Sequence, residues 1–206
     1  TGFKWIAAKM KEFDDDGTST FIFGGEESYG YLPVPFVRDK DAVSSCYFFA
    51  EMTDWLKGRN MTLSGFLDEI YSSYGLYLED LASLTLKGKE GTEKIKGLME
   101  NFRKTPPPAF SSIPVESVAD IKNLVMKNMK NGSVEPIRGL PGSDVLQFYL
   151  ADGSKITMRP SGTEPKIKFY FSVRGDTDRQ TLADGKKKVR EKLEVLKKDL
   201  MKMIGD

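Results

Sequence analysis

Histidine is absent from the 206 residues, and cysteine occurs once, at Cys46. The first absence removes histidine-based general acid–base catalysis, Ser-His-Asp hydrolysis and histidine metal sites from this chain. Any proton transfer must use carboxylates, lysine or tyrosine. The lone cysteine excludes an intrachain disulfide framework and fits a reducing cytoplasm. An excess of charge of either sign is also missing: 31 basic and 30 acidic side chains leave a net charge of +1. That balance argues against a nucleic-acid or membrane-surface binder, which needs a basic face. No apolar run reaches the length of a membrane span, no signal peptide is visible, and neither an internal repeat nor a low-complexity tract appears. An initiator Met is lacking too. "TGFKWIAAKM" runs straight into a helical pattern, as expected of a piece cut from a longer protein.

What is present suffices for one large domain or two of ordinary size. Apolar residues make up 39% of the chain, with 13 Phe and 8 Tyr, so a packed core is within reach. Residues 3–13 place Phe3, Ile6, Ala7, Met10 and Phe13 at helical spacing, and "DDDGTST" is expected to break that helix. "FIFGG" reads as a short buried strand, and "EESYGYLPVPFVRDKD" as a loop. Asp41 suits the N-cap of a helix carrying Ala42, Cys46, Phe49, Thr53 and Leu56 along one side. Thr62 opens a further helix, which Gly75 stops. This part reads as the second half of an α/β domain, with short parallel-sheet strands and helices.

Composition shifts near residue 79, which divides the chain into units 1–78 and 79–206. "EDLASLTLKG" predicts a strand. "TEKIKGLMENFRK" predicts a helix with Ile95, Leu98, Met99 and Phe102 on one face, ended by "TPPP". "VESVADIKN" predicts another strand, and the polar stretch to Gly142 carries no clear pattern. "DVLQFYL-ADGS-KITMRP" is two alternating runs about Asp152-Gly153, the chemistry of a tight hairpin. "KIKFYFSVRG" makes a third run. A final helix starts near Asp178 and aligns Leu182, Val189, Leu193, Leu196 and Leu200, its lysines forming a solvated face. The second unit reads as α+β, an antiparallel sheet with two helices on one face.

Three loops carry chemistry. "RPSGTEP" has an anion-binding inventory. Arg159 offers a planar fork of donors, Ser161 and Thr163 offer hydroxyls, and Gly162 lets backbone amides turn inward as a nest. An ordinary polar turn is the alternative. In "GGEESYGYL" two glycines allow close backbone approach, while Glu26, Glu27 and Ser28 suit the vicinal hydroxyls of a sugar; a plain surface loop fits equally. "VRDKDA" clusters Arg38, Asp39, Lys40 and Asp41. It is either a solvated charged loop or a pocket for a titrating lysine, and the opposing charges leave the pKa of Lys40 open. "FDDDGTST" reads as a turn, since it lacks the ligand spacing of a calcium loop. Cys46 reads as a small core residue.

In this order, "TGFKWI", "GGEESYGYL", "RDKDA" and "RPSGTEPKIKFY" closely resemble the α-D-phosphohexomutase family over essentially the whole chain. "ESYGYL" and "LTLKGKEGTEKI" look most like its bacterial phosphoglucomutase branch. The resemblance implies four domains, of which this chain holds the back half of the third and all of the fourth, the latter of TATA-binding-protein-like fold. It implies interconversion of glucose 1-phosphate and glucose 6-phosphate through glucose 1,6-bisphosphate, with a phosphoserine and a magnesium site on earlier domains. Lys40 matches a general acid or base. Thr1, Gly2, Phe3 and Lys4 match a loop that distinguishes two binding modes, with Phe3 standing where some members have Trp. Glu26 and Ser28, with Arg38 nearby, match sugar-hydroxyl contacts. Arg159, Ser161, Gly162 and Thr163 match the distal phosphate site.

No phosphoserine loop and no aspartate-rich metal loop of the family pattern occurs here. The chain alone is therefore expected to be inactive and to hold no metal. Its expected partners are a phosphorylated hexose and the remaining domains of the same polypeptide, with no nucleic acid and no membrane, in the cytoplasm. Phosphomannomutase or phosphopentomutase activity, or a stand-alone anion- or nucleic-acid-binding module, are the other readings.

Overall fold

The computed structural model describes residues 2–26, 28–175 and 181–205. The expected start of the last helix near Asp178 lies outside them. The chain divides into two units, Thr1–Glu69 and Ile70–Asp206. It is an α/β unit followed by an α+β unit.

In the first unit, α1 (Lys4–Asp16) runs one turn further than "DDD" suggested, because Gly17 takes the left-handed conformation that closes a helix and donates its N–H to the Phe13 carbonyl. Strands β1 (Gly24–Gly25) and β2 (Tyr31–Leu32) pair antiparallel. This is the pairing found here, where short parallel strands had been expected. A small core of Phe3, Met10 and Leu32, with Ile6, Phe21, Val34 and Val37 against it, joins α1 to this ribbon. Gly24 is required there. A Cβ on it would come within 2.8 Å of Ile6 and 3.2 Å of Phe3, so the glycine serves helix packing and not ligand approach.

Helix α2 (Ala42–Gly58) starts where Asp41 accepts hydrogen bonds from the Val43 and Ser44 amides, at 3.1 and 3.2 Å. The Thr62 hydroxyl accepts from Gly65 N–H at 3.0 Å at the head of α3 (Leu63–Tyr74), and Gly75 stops that helix in a left-handed conformation. The expected apolar side of α2 is not a buried one: of its residues only Leu56 is buried, and Cys46 and Phe49 are exposed. Ile22 and Phe23, read as part of a buried strand, are exposed as well. The cause is shared. Among the described residues no sheet layer stands against these apolar positions.

The second unit is built on an antiparallel sheet. Its strands are β3 (Tyr77–Thr85), β4 (Ala109–Phe110), β5 (Ile113–Asp120), β6 (Val125–Asn128), β7 (Val134–Pro136), β8 (Leu146–Leu150), β9 (Lys155–Pro160) and β10 (Lys166–Arg174). They lie in the order β3-β10-β9-β8-β5-β6-β7, with β4 beside β5. β6 and β7 occupy the polar stretch whose pattern was silent. Helices α4 (Gly88–Lys104) and α5 (Leu182–Ile204) cover one face. Alternation of buried and half-exposed residues along β8, most of β9 and most of β10 produces that two-sided sheet.

The core contains Ile95, Met99 and Phe102 of α4, and Val189, Leu193, Leu196 and Leu200 of α5. These meet Phe148, Phe169 and Phe171 from the strands. Each fully buried phenylalanine contributes about 2–3 kcal/mol over leaving it exposed. Phe110 and Phe148 meet edge to face at 5.3 Å. The β8–β9 turn is as the sequence predicts. Gly153, at positive φ, donates to the Leu150 carbonyl, and Asp152 is tied to Lys192 of α5 at 2.6 Å.

Candidate functional site

Two of the sequence-expected positions of the first unit, Glu26 and Phe3, meet at Lys40. Its Nζ lies 2.8 Å from Asp39 Oδ1, 3.6 Å from Glu26 Oε2 and 5.3 Å from the centre of the Phe3 ring. The lysine reaches this place by crossing Gly30. Glu26 N–H donates to the Gly30 carbonyl at 2.9 Å, and Asp41 N–H donates to the Tyr31 carbonyl at 2.9 Å, so both ends of the loop are pinned to the ribbon. Ser45 holds the same corner, its hydroxyl donating to the Asp41 and Tyr31 carbonyls.

The charge question left open by the sequence is answered by these contacts. The hydrogen bond from Lys40 to the Asp39 carboxylate raises the lysine pKa above its ordinary 10.5, and Glu26 adds to it, against a smaller opposing effect of burial. Asp39 is lowered by the same hydrogen bond. Lys40 is thus held as an ammonium.

The remaining positions are distributed as follows. Phe3 is 3% exposed, so its ring is taken up by the core and by Lys40. Gly2 has a φ of 112°, and Lys4 is exposed with its Nζ 5.5 Å from the Trp5 ring centre. Thr1 and Glu27 lie outside the described residues. Ser28 is exposed. Arg38 pairs with Asp14 of α1 and is not brought to Lys40.

Beside Lys40 is a hollow of about 410 Å³ bordered by Tyr29, Gly30, Lys40, Ser45, Cys46 and Phe49. Cys46 and Phe49 are residues that sequence reasoning assigned to a core. The signal that could have placed them here is their position one and two turns beyond Asp41, itself next to Lys40.

The phosphate loop belongs to the second unit. Arg159 is the next-to-last residue of β9, opposite Lys168 of β10, and Ser161 to Pro165 make the connection. Ser161 N–H donates to the Lys166 carbonyl at 2.7 Å, Lys166 N–H to Glu164 O at 2.7 Å, and Thr163 N–H reaches the Ser161 hydroxyl at 3.4 Å. Leu86 N–H, donating to the Pro165 carbonyl at 2.9 Å, fastens the far end. Among the described residues no carboxylate pairs with Arg159. Gly162 does not take positive φ, so the inward-turned nest anticipated for it is not formed here, and a Cβ on it would meet nothing within 4 Å.

Among the described residues no group of three or more acidic or cysteine side chains could hold a metal. The "DDD" stretch shows why. Asp14 pairs with Arg38, Asp15 with Lys11 at 2.8 Å, and Asp16 accepts from the Thr18 amide and hydroxyl. The three aspartates of this stretch are thus engaged in ion pairs and a turn and are not gathered as a magnesium site. No described helix is long and apolar enough to cross a membrane.

Residues 1–74 match the family description "Phosphoglucomutase/phosphomannomutase, alpha/beta/alpha domain III", and residues 109–192 match "Phosphoglucomutase/phosphomannomutase, C-terminal domain". A protein named phosphoglucomutase from Staphylococcus haemolyticus is 39% identical over 183 residues, 89% of this chain and 33% of that protein. One from Staphylococcus aureus is 38% identical over 174 residues, 84% of this chain and 31% of that protein. The chain thus spans about a third of the length of the curated relatives it matches. A crystal structure of the exocytosis-sensitive phosphoprotein pp63/parafusin, a phosphoglucomutase from Paramecium in its open form, shares the fold. The TM-score is 0.53 at 18% identity, covering 100% of this chain and 34% of that one. The chain belongs to the phosphoglucomutase/phosphomannomutase family.

Proposed function

We propose that this chain is the substrate-binding, C-terminal portion of a phosphoglucomutase that interconverts glucose 1-phosphate and glucose 6-phosphate through glucose 1,6-bisphosphate. Glu26 and Ser28 hold sugar hydroxyls, with Gly2 and Lys4 at the edge of that loop. Arg159, Ser161, Gly162 and Thr163 hold the phosphate that is not reacting. Lys40, kept as an ammonium, is the proton donor of the reaction. Phosphoryl transfer depends on positioning and on charges aimed at the moving group. The nucleophile and the magnesium that the family implies are supplied by other parts of a longer polypeptide. The chain by itself binds and does not convert, and it works in the cytoplasm, where a lone thiol stays reduced.

The observation that carries this reading is Arg159. It lies just before the pinned loop and has no carboxylate partner among the described residues, and a Cβ on Gly162 would meet nothing within 4 Å. A forked cation so placed suits a phosphate dianion.

The test is an NMR titration of this chain with inorganic phosphate and glucose 6-phosphate. The amides of Ser161 to Thr163 are expected to shift, and Arg159→Ala to weaken binding at least tenfold, as loss of a charge-assisted pair requires. Binding that is indifferent to Arg159→Ala overturns the assignment.

A further inference from the structure

Tyr29 is a residue that the reading above leaves without a role. Its φ is 65°, in the left-handed region that bulky residues rarely enter, and the residue is 86% exposed. A glycine would meet this backbone at less cost. The sequence nevertheless places an aromatic ring here, while Gly30, the adjacent residue, is needed for the passage of Lys40 and does not itself take positive φ. Backbone held in an unfavourable region is found where a side chain must be presented. The ring borders the hollow beside Lys40, whose rim also includes Ala42 and Phe49.

The chemistry of the hollow is divided. Lys40 offers charge and Ser45 a hydroxyl, with Glu26 3.6 Å behind the lysine, and Tyr29, Ala42 and Phe49 offer apolar surface. A hexopyranose chair with equatorial hydroxyls is divided in the same way: its rim is polar and its faces are axial C–H groups. Flat aromatic rings suit such faces, and sugar sites need apolar area as well as placed polar groups. A pentofuranose presents a smaller and less regular C–H face.

We propose that Tyr29 stacks its ring on the C–H face of the sugar and thereby selects hexopyranose phosphates over pentose phosphates. The proposal rests on the sugar-phosphate reading of the preceding subsection and names the residue that reads ring shape.

The test uses this chain with glucose 6-phosphate, ribose 5-phosphate and inorganic phosphate, followed by saturation-transfer NMR and by titration. Irradiation of the aromatic ring protons is expected to reach the ring protons of glucose 6-phosphate in the wild type and in Tyr29→Phe. In Tyr29→Ala and Tyr29→Gly that transfer should be lost, and affinity for glucose 6-phosphate should fall about three- to tenfold, the range of an aromatic contact. Inorganic phosphate should bind as before, and preference over ribose 5-phosphate should shrink.

Unchanged glucose 6-phosphate affinity in Tyr29→Ala overturns the proposal. So does an equal loss for inorganic phosphate, which would mark a general disturbance. Recovery in Tyr29→Gly of what Tyr29→Ala loses also overturns it, since backbone strain would then be the whole effect. Failure of the underlying reading has a different signature. Sugar phosphate binding that ignores Arg159→Ala but follows Tyr29 removes the phosphate assignment and leaves Tyr29 in place. A wild type that takes up neither sugar phosphate removes both.

Discussion

Lys40 and Gly30 occupy one another's space. A Cβ built on Gly30 would lie 2.1 Å from Lys40 Cδ and 2.9 Å from its Cγ, well inside contact distance. Gly30 does not take positive φ, so the requirement is room and not backbone freedom. The glycine is therefore the channel along which the lysine reaches Glu26 and the Phe3 ring.

Gly30→Ala is expected to push the lysine aside without unfolding the unit, because the far end of a lysine side chain is flexible. The ammonium should lose its contact with Glu26, which a change in the Lys40 Hε and Nζ resonances would report. In the longer polypeptide, turnover should fall by about two orders of magnitude, the low end of the range for a proton-transfer group. Phosphate binding at Arg159 should be unaffected.

The charge state of Lys40 gives a second expectation. Its pKa is raised by Asp39 and then Glu26, and that of Asp39 is lowered by Lys40. The sign follows from linkage. The contribution of the lysine is fully present below 10.5 and is lost as pH rises through its higher folded value. That of the aspartate is present above 3.8 and is lost as pH falls through its lower one. Between these limits the pair stays intact, so its part in stability should be flat with pH. Asp39→Asn should bring the Lys40 pKa down toward the ordinary lysine value, with Glu26 holding part of the shift. A titration of the Lys40 Nζ resonance reads this directly. No downward movement in Asp39→Asn would mean that Asp39 does not set the charge of the lysine.

Much of the second unit was legible in its sequence, and the reason is periodicity. The alternation around Asp152-Gly153 and the stripes through Met99 and Leu196 each state which side of an element is apolar, and these sides meet in one core. In the first unit the same signal misled. Cys46 and Phe49 share a side of α2, but periodicity states only that a side is apolar and not what lies against it. The site divides likewise. The Arg159 loop is contiguous, so its donors were visible as a string. The environment of Lys40 is assembled from Phe3, Glu26, Gly30 and Asp39, and only folding places those four together. Tyr29 was unreadable for another reason: nothing in "SYGYL" says which residue takes positive φ.

A nearly buried ion network in the second unit supports the strongest stability prediction. Arg103, near the end of α4, has a side chain only 9% exposed. It donates from Nε to Asp120 at 3.1 Å, from Nη1 to Glu100 at 2.8 Å and from Nη2 to Asp144 at 2.5 Å. Burial works against the charge, yet the hydrogen bonds to Asp144 and Asp120 outweigh it and raise the arginine pKa. Asp120 also accepts from Asn123 at 2.5 Å and from the Lys122 amide at 3.1 Å, so the network fixes the β5–β6 turn to the helix. Removing one partner strands the others. Arg103→Ala leaves the Asp120 carboxylate nearly buried without its cation, a change that costs about 3–5 kcal/mol when a buried pair is broken. Arg103→Lys should recover only part, since an ammonium cannot reach three carboxylates as a planar fork does. Both tryptophans, Trp5 and Trp55, lie in the first unit, so tryptophan fluorescence does not follow this loss. Urea unfolding read from amide exchange of β5 and β8 does. A loss below 1 kcal/mol in Arg103→Ala would show that water compensates the stranded carboxylates and that the network orients the turn without stabilising it.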